Sequence, residues 1–291
     1  MSCVFCRSSG FAPVASTCRD SDRHSVVRCR ACGLIQLSPT PSESEHDEFH
    51  DLDLQSQSIL DTTDIDLVVA RKTWDTARRV EFIQQRFSEN AALLDVGSGY
   101  GVLLGQLAGC GYRVTGVEPS PARRAVSRQI TDAPTVSASL PSLPMSLGRF
   151  DAVLLIHVLE HLIDPVEALM SVKILVDQGG SLVVEVPNVD DLLLEGSSAF
   201  RNFYWQRAHV SYFSAKTLKS VLLRAGFARV AVEGVQRYGL ENLMAWHTTG
   251  RPQLPEPSFH TTGPYRWLEE LYKRNLEESL RCDTLVAVAQ V

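Results

Sequence analysis

Four of the seven cysteines fall in two pairs, Cys3-x-x-Cys6 and Cys29-x-x-Cys32. Each C-x-x-C makes a tight turn that presents two thiolates, and two such turns complete a tetrahedron, the ligand set of structural zinc. Four thiolates close the coordination shell, so this metal has no catalytic part. The segment Arg7 to Arg28 is too small to fold on a core of its own, and metal binding would supply the folding energy. A pair of disulfides is the alternative, and Cys18 is a spare thiol between the pairs. A second constellation is Leu93-Leu94-Asp95-Val96-Gly97-Ser98-Gly99-Tyr100-Gly101, an acid followed by three glycines at alternate positions. Glycines accept positive φ and let a ligand approach the backbone. Glu118, 17 residues past Gly101, closes the next apolar run, where an acid can accept from both hydroxyls of a ribose. A third set is His157, His161 and His209. Imidazole titrates near neutral pH and can take a proton from an acceptor. His209 is the first candidate for that role, with a structural hydrogen-bonding part as the alternative for each histidine.

Positioning these groups requires an alternation of strands and helices. Residues 93–96 read as a buried strand, Val102 to Cys110 as a helix and Tyr112 to Glu118 as the second strand. Pro119-Ser120-Pro121 caps a helix from Ala122 to Ile130, and Thr135 to Ala138 is a short third strand. Phe150 to Ile156 is nearly all apolar, as a parallel strand buried on both faces would be. A helix over Pro165 to Val176 follows, then a Gly179-Gly180 turn into a strand over Ser181 to Val186. Tyr204, Trp205, His209, Tyr212 and Phe213 concentrate in residues 188–213, the acceptor side. Ser214 caps a helix over Ala215 to Ala225 that Gly226 closes. A strand over Ala228 to Val235, a proline-rich loop from Arg251 to Pro264, a charged helix from Tyr265 to Leu280 and a last strand over Thr284 to Ala289 complete the order. Upstream, Ser38 to Ser42 and the acidic run Glu43 to Asp53 form a polar connector. Residues 67–87 read as an amphipathic helix in which Trp74 is either core or ligand-facing.

The glycine stretch with Glu118 resembles motif I of the class I S-adenosylmethionine (SAM) methyltransferases. The resemblance spans about residues 91–236 and the last strand, and His157-Val158-Leu159-Glu160-His161-Leu162 is similar to that family's segment after strand four. It implies an α/β fold, a Rossmann-like seven-stranded methyltransferase sheet, here with a small N-terminal zinc-ribbon-like module. Residues 1–40 would be the zinc module, 41–90 a linker and helical cover, and 91–291 the SAM-dependent domain. Asp95, Gly97, Gly99 and Gly101 would surround the methionine part of SAM, and Glu118 would hold the ribose. Ser139 and Leu140 would pass the adenine, with Ala138, Ser139 and Leu140 standing where an acid is usual. His157 would border the cofactor at the switch point. The zinc module followed by His209-Val210-Ser211-Tyr212-Phe213-Ser214 is similar to the group containing deoxysugar C-methyltransferases. That group carries a His-Glu-His-type segment here, and only His209 of Arg207-Ala208-His209 matches it.

Three functions are open at this point. The first is methyl transfer to a small molecule, a sugar or other specialised or cell-envelope metabolite. The second is an RNA methyltransferase gripping nucleic acid with the zinc module, to which Arg19, Arg23, Arg28 and Arg30 contribute. The third is a SAM-binding protein without turnover. A net charge of −6 argues against a phosphate-tracking surface. No apolar run reaches membrane-spanning length and the first residues do not read as a secretory signal, so a cytoplasmic setting with reduced thiols is expected.

Overall fold

The computed structural model describes residues 2–42, 44–45, 69–70, 73, 75–252, 264 and 266–291. Three strands open it: β1 (Phe11–Ala15), β2 (Ser25–Cys29) and β3 (Ile35–Ser38). After helix α1 (Thr76–Gln84) the α/β alternation begins with β4 (Ala92–Val96), α2 (Val102–Gly109), β5 (Arg113–Val117), α3 (Pro121–Ile130) and β6 (Thr135–Val136). It continues with β7 (Phe150–Ile156), α4 (Pro165–Lys173) and β8 (Val176–Pro187). Then come α5 (Leu192–Gly196), α6 (Ser198–Tyr204), β9 (Ser211–Tyr212), α7 (Ala215–Arg224) and β10 (Ala228–Val235). Helices α8 (Leu240–Thr248) and α9 (Arg266–Glu278) precede the last strand, β11 (Thr284–Gln290).

Seven strands form one sheet in the order β10-β11-β8-β7-β4-β5-β6. β11 lies antiparallel between β8 and β10, whereas β8, β7, β4, β5 and β6 run parallel. The chain therefore leaves β4 in one direction and returns to its other side at β7. A crevice opens at such a reversal, beyond the carboxyl ends of the strands. Period-two alternation divides the central strands between two apolar layers. Leu93, Leu154 and Val183 pack with Val80 and Ile83 of α1 and Leu103, Leu104 and Leu107 of α2. Leu94, Leu155 and Val184 pack on the other face with Leu169 of α4 and Leu218, Val221 and Leu222 of α7.

Gly179 and Gly180 do not make a turn between two elements, as the sequence reading had them. They lie inside the continuous strand β8, where the register jumps from Phe150↔Val176 to Ala152↔Ser181. A Cβ on Gly180 would stand 2.8 Å from the Asp151 carbonyl oxygen, so the glycine admits a bulge where two backbones crowd. The third strand is shorter than expected, ending at Val136. Helix α8 was not anticipated; only Asn242 and Trp246 of it are buried, which leaves little apolar periodicity to read. Trp74, the acidic connector from residue 46 onward and most of the proline-rich loop lie outside the described residues. Among the described residues, no helix is long and apolar enough to cross a membrane.

The second sheet has the order β1-β2-β3-β9. Its fourth strand is lent by the segment just before α7: Ser211 and Tyr212 pair with Gln36 and Ile35. Cys18, Val26, Ile35 and Leu37 share a small core with Leu194, Trp205 and Tyr212. The N-terminal module is thus completed by residues that lie some 170 positions later in the chain.

Candidate functional site

β4 delivers the glycine loop to the carboxyl edge of the sheet. Gly97 and Gly101 both have φ of 79°, in the left-handed region. A Cβ on Gly97 would fall 2.5 Å from Val158 Cγ2, and one on Gly101 would fall 2.2 Å from Ser127 Oγ. Packing therefore demands glycine at both. At Gly99 a Cβ would meet nothing nearer than 4.0 Å, so the loop keeps open space beside its backbone. Helix α2 starts at Gly101, has no side-chain cap and no acid in its first turn. Its first N–H groups and its positive dipole end are suited to a carboxylate.

Glu118 follows β5 and is buried. Its Oε2 accepts from the Gly99 N–H at 2.9 Å and its Oε1 from the Ser120 N–H at 2.9 Å. The acid and the loop that the sequence reading paired are thus joined by a hydrogen bond. Asp95, also buried, titrates at about 7: burial raises it, Arg79 opposes the rise and Glu118 adds to it. Ser139 is exposed, while Leu140 is half-buried and packs with Ala138 against the core.

His157 follows β7 with φ of 54°, and its N–H donates to the Glu185 carbonyl at 2.8 Å. Its Nδ1 lies 3.1 Å from Glu160 Oε1 and its Nε2 3.1 Å from Glu185 Oε1. Burial alone would lower the His157 pKa; the Glu160 and Glu185 carboxylates outweigh that and hold it above the ordinary value. Glu185 also receives Arg79 Nη2 at 2.7 Å and Arg78 Nη2 at 2.8 Å. Burial would raise it, yet Arg79, His157 and Arg78 hold it well below the usual carboxylate range. Both arginines come from α1, so a buried ion network fastens that helix to the switch point. Adjacent arginines before Val80 gave no sign in the sequence of which acid they would meet.

Just beyond, His161 Nδ1 lies 2.8 Å from the Ala208 carbonyl oxygen, and the His161 and His209 rings stand 5.0 Å apart, edge to face. Ligand atoms of Glu160, His161 and His209 all lie within 4.8 Å of one another. Gln206 Nε2 stands 3.0 and 3.2 Å from the two nitrogens of His209. The Gln206 side-chain Oε1 accepts from Arg19 Nη2 of the N-terminal module at 2.6 Å, which fixes the amide's orientation. Trp205, Tyr204 and Tyr212 stack edge to face or tilted around this group at 4.9–5.7 Å. The sequence reading singled out the three histidines; the structure brings His161 and His209 together and ties His157 to them through Glu160. Glu160 and Gln206 were missed, although Glu160 sits inside the very segment that was singled out.

The four cysteines also converge. Cys3 and Cys32 sulfurs stand 3.6 Å apart, and those of Cys6 and Cys29 3.5 Å, with all seven thiols of the chain free. Thiolates ~2.3 Å from a tetrahedral zinc would stand about 3.8 Å apart, so the cluster fits that ion. Arg7 N–H donates to the Cys3 carbonyl and Gly33 N–H to the Cys29 carbonyl, closing two equivalent turns at 3.0 and 2.9 Å. Arg7 is paired with Asp164, the N-cap of α4, which holds the first turn against the domain.

A family model described as "Methyltransferase domain" matches residues 26–232. The tRNA U34 carboxymethyltransferase of Pseudomonas putida (strain W619) is 33% identical over 150 residues, 47% of this chain and 46% of that protein. The chain spans about half the length of the curated relatives it matches first. Among solved structures, a SAM-dependent methyltransferase from Archaeoglobus fulgidus superposes with a TM-score of 0.54 at 21% identity, covering 82% of this chain and 99% of the other. The 1,6-didemethyltoxoflavin-N1-methyltransferase of Burkholderia thailandensis gives 0.52 at 16% identity, covering 92% and 96%. These two carry the likeness of fold.

Proposed function

Since the chain belongs to the methyltransferase-domain family, we propose that it transfers a methyl group from SAM to a small-molecule acceptor, a sugar or other specialised or cell-envelope metabolite. When bound, SAM supplies a methyl group on a positively charged sulfur, which a nucleophile displaces while the electron pair stays on sulfur. Asp95, Gly97, Gly99 and Gly101 would hold the methionine part and Glu118 the ribose, with His157, Ser139 and Leu140 at the border of the site. The observation that carries the reading is Val158. It packs on Gly97 of the loop and sits between His157 and Glu160, so the cofactor loop and the histidine cluster meet at one switch point. Near-attack positioning there can contribute ~7–11 kcal/mol toward the barrier.

His209 promotes loss of the acceptor's proton. It is 6% exposed, with the Tyr212 ring 5.8 Å from its own. His209→Ala is expected to lower kcat by ~10²–10⁴-fold while SAM affinity stays within a few-fold. S-adenosylhomocysteine release with a panel of acceptors checks this, and undiminished turnover would remove His209 from the reaction. An RNA acceptor has support from the tRNA-modifying relatives, but one of the arginines it needs, Arg19, is turned inward onto Gln206 and the Phe203 ring, 4.2 Å away.

Asp95 gives SAM binding a pH dependence. The free protein holds a proton there up to about pH 7, and a cationic ligand favours the ionised form. Binding should therefore release a proton, and affinity should fall up to ~10-fold per pH unit below 7 and level off above it. Calorimetry in buffers of different ionisation enthalpy reads both; proton uptake, or an affinity flat from pH 5.5 to 8, would reverse the assignment. The four thiolates would hold one structural zinc, which suits a reducing compartment such as the cytoplasm.

A further inference from the structure

We propose that Glu160 and Glu185 are positioning residues for the cofactor: they clamp His157 from both sides, hold its backbone in a left-handed conformation, and so keep Val158 against Gly97 of the glycine loop. The inference rests on the methyltransferase reading above and names what sets the shape of its cofactor loop. His157 has φ of 54°. A residue with a Cβ is disfavoured there, and such a conformation persists only where its surroundings over-determine it. Here they do so at both ring nitrogens. Nδ1 is hydrogen-bonded with Glu160 Oε1 at 3.1 Å. Nε2 stands 3.1 Å from Glu185 Oε1, an ion pair without the direction of a hydrogen bond. The His157 N–H donates to the Glu185 backbone carbonyl at 2.8 Å, so ring and backbone are fixed against the same strand end.

Both acids are themselves held. Glu160 is 1% and Glu185 2% exposed. Arg78 and Arg79 of α1 meet Glu185 at 2.8 and 2.7 Å. Two carboxylates therefore flank one imidazole, and two guanidiniums balance the outer carboxylate, which is what buried charges require. The consequence falls on the next residue. A Cβ on Gly97 would stand 2.5 Å from Val158 Cγ2, so the valine fills the place that a side chain on Gly97 would take. Rotation of His157 out of the left-handed region would swing Val158 off Gly97 and leave that turn of the loop unsupported. Helix α1 thereby reaches the cofactor loop through Glu185, His157 and Val158 in succession.

The test measures S-adenosylhomocysteine affinity by calorimetry on the zinc-loaded full chain, in wild type and in His157→Gly. Glycine takes a left-handed φ at no steric cost, so it keeps the turn without a clamp, and His157→Gly is expected to bind within ~10-fold of wild type. Glu160→Met and Glu185→Gln should each weaken binding ~5–30-fold in the wild-type background, the ratio that the strain of one such residue commands. Beside His157→Gly the same two changes should cost less than ~2-fold, because nothing is left for the clamp to hold. Thermal melting certifies the fold of each variant. The two acids are tested separately because Glu185→Gln also takes charge from Arg78 and Arg79, whereas Glu160→Met does not. Equal losses in the wild-type and His157→Gly backgrounds would make both acids merely structural and overturn the clamp. Wild-type affinity in both single variants overturns it as well. Absence of S-adenosylhomocysteine binding by folded wild type removes the methyltransferase reading, and this proposal with it.

Discussion

Glu118→Ala is expected to weaken SAM and S-adenosylhomocysteine binding by ~10²–10⁴-fold. Both oxygens of the carboxylate already hold backbone N–H groups, Gly99 in the loop and Ser120 at the cap of α3. Hydrogen bonds to a charged group contribute ~1.5–3 kcal/mol each, so the two that the ribose hydroxyls would donate to it account for about 3–6 kcal/mol. Alanine removes the acceptor proposed for the ribose and also frees the loop proposed for the methionine side. Glu118→Gln keeps the shape and loses the charge, and should fall between wild type and alanine. Calorimetry with SAM, and with NAD as a control, measures the series. Wild-type affinity in the alanine variant would place the ribose elsewhere.

Loss of the four-cysteine centre should act at a distance, on the acceptor side. Structural zinc in small modules contributes ~10–16 kcal/mol, as much as the whole stability of an ordinary domain. By contrast, truncating a buried aromatic such as Tyr212 costs about 3–5 kcal/mol. Cys29→Ser, or chelation, is therefore expected to release β1–β3 as a unit. With them go the β3–β9 pairing, the Arg19 contact to Gln206 and the Asp20 contact to the Arg207 N–H at 2.6 Å. His209 then loses its setting, while Glu118 and the glycine loop keep theirs on the other sheet. Turnover should fall by at least ~100-fold with SAM affinity held within about tenfold. Amide exchange at residues 25–38 and 211–212 should rise together; full turnover after zinc removal would show that the module does not support the site.

The single strands were legible because each parallel one is an apolar run that glycine, proline or a polar cap ends, while their seven-stranded arrangement came from the resemblance that Asp95, the glycines after it and Glu118 carry. The cysteine spacing likewise announced its cluster. What escaped was everything that depends on long-range partners. Glu185 looks like any acid ending a strand, and nothing local tells that Arg78, Arg79 and His157 converge on it. Glu160 was read as part of a motif and not as a carboxylate with one oxygen unpaired. The Gly179–Gly180 pair has the composition of a turn, and only the neighbouring strand's carbonyl shows why glycine is needed inside β8. The loan of Ser211–Tyr212 to the first sheet is two residues long, too short to leave a periodic signal.

That loan has a consequence for how the protein is made. The cysteines and β1–β3 leave the ribosome early, yet β3 stays an open edge until Ser211–Tyr212 emerges. The wait is about 170 residues, on the order of ten seconds or more at ~5–20 residues per second. During it the strand's unpaired N–H and C=O groups are a template for pairing with another nascent chain. Zinc can fix the two turns at once, but it cannot close that edge. Pairing of Ser211–Tyr212 with β3 is therefore also the step that makes these earlier-made strands safe from their neighbours.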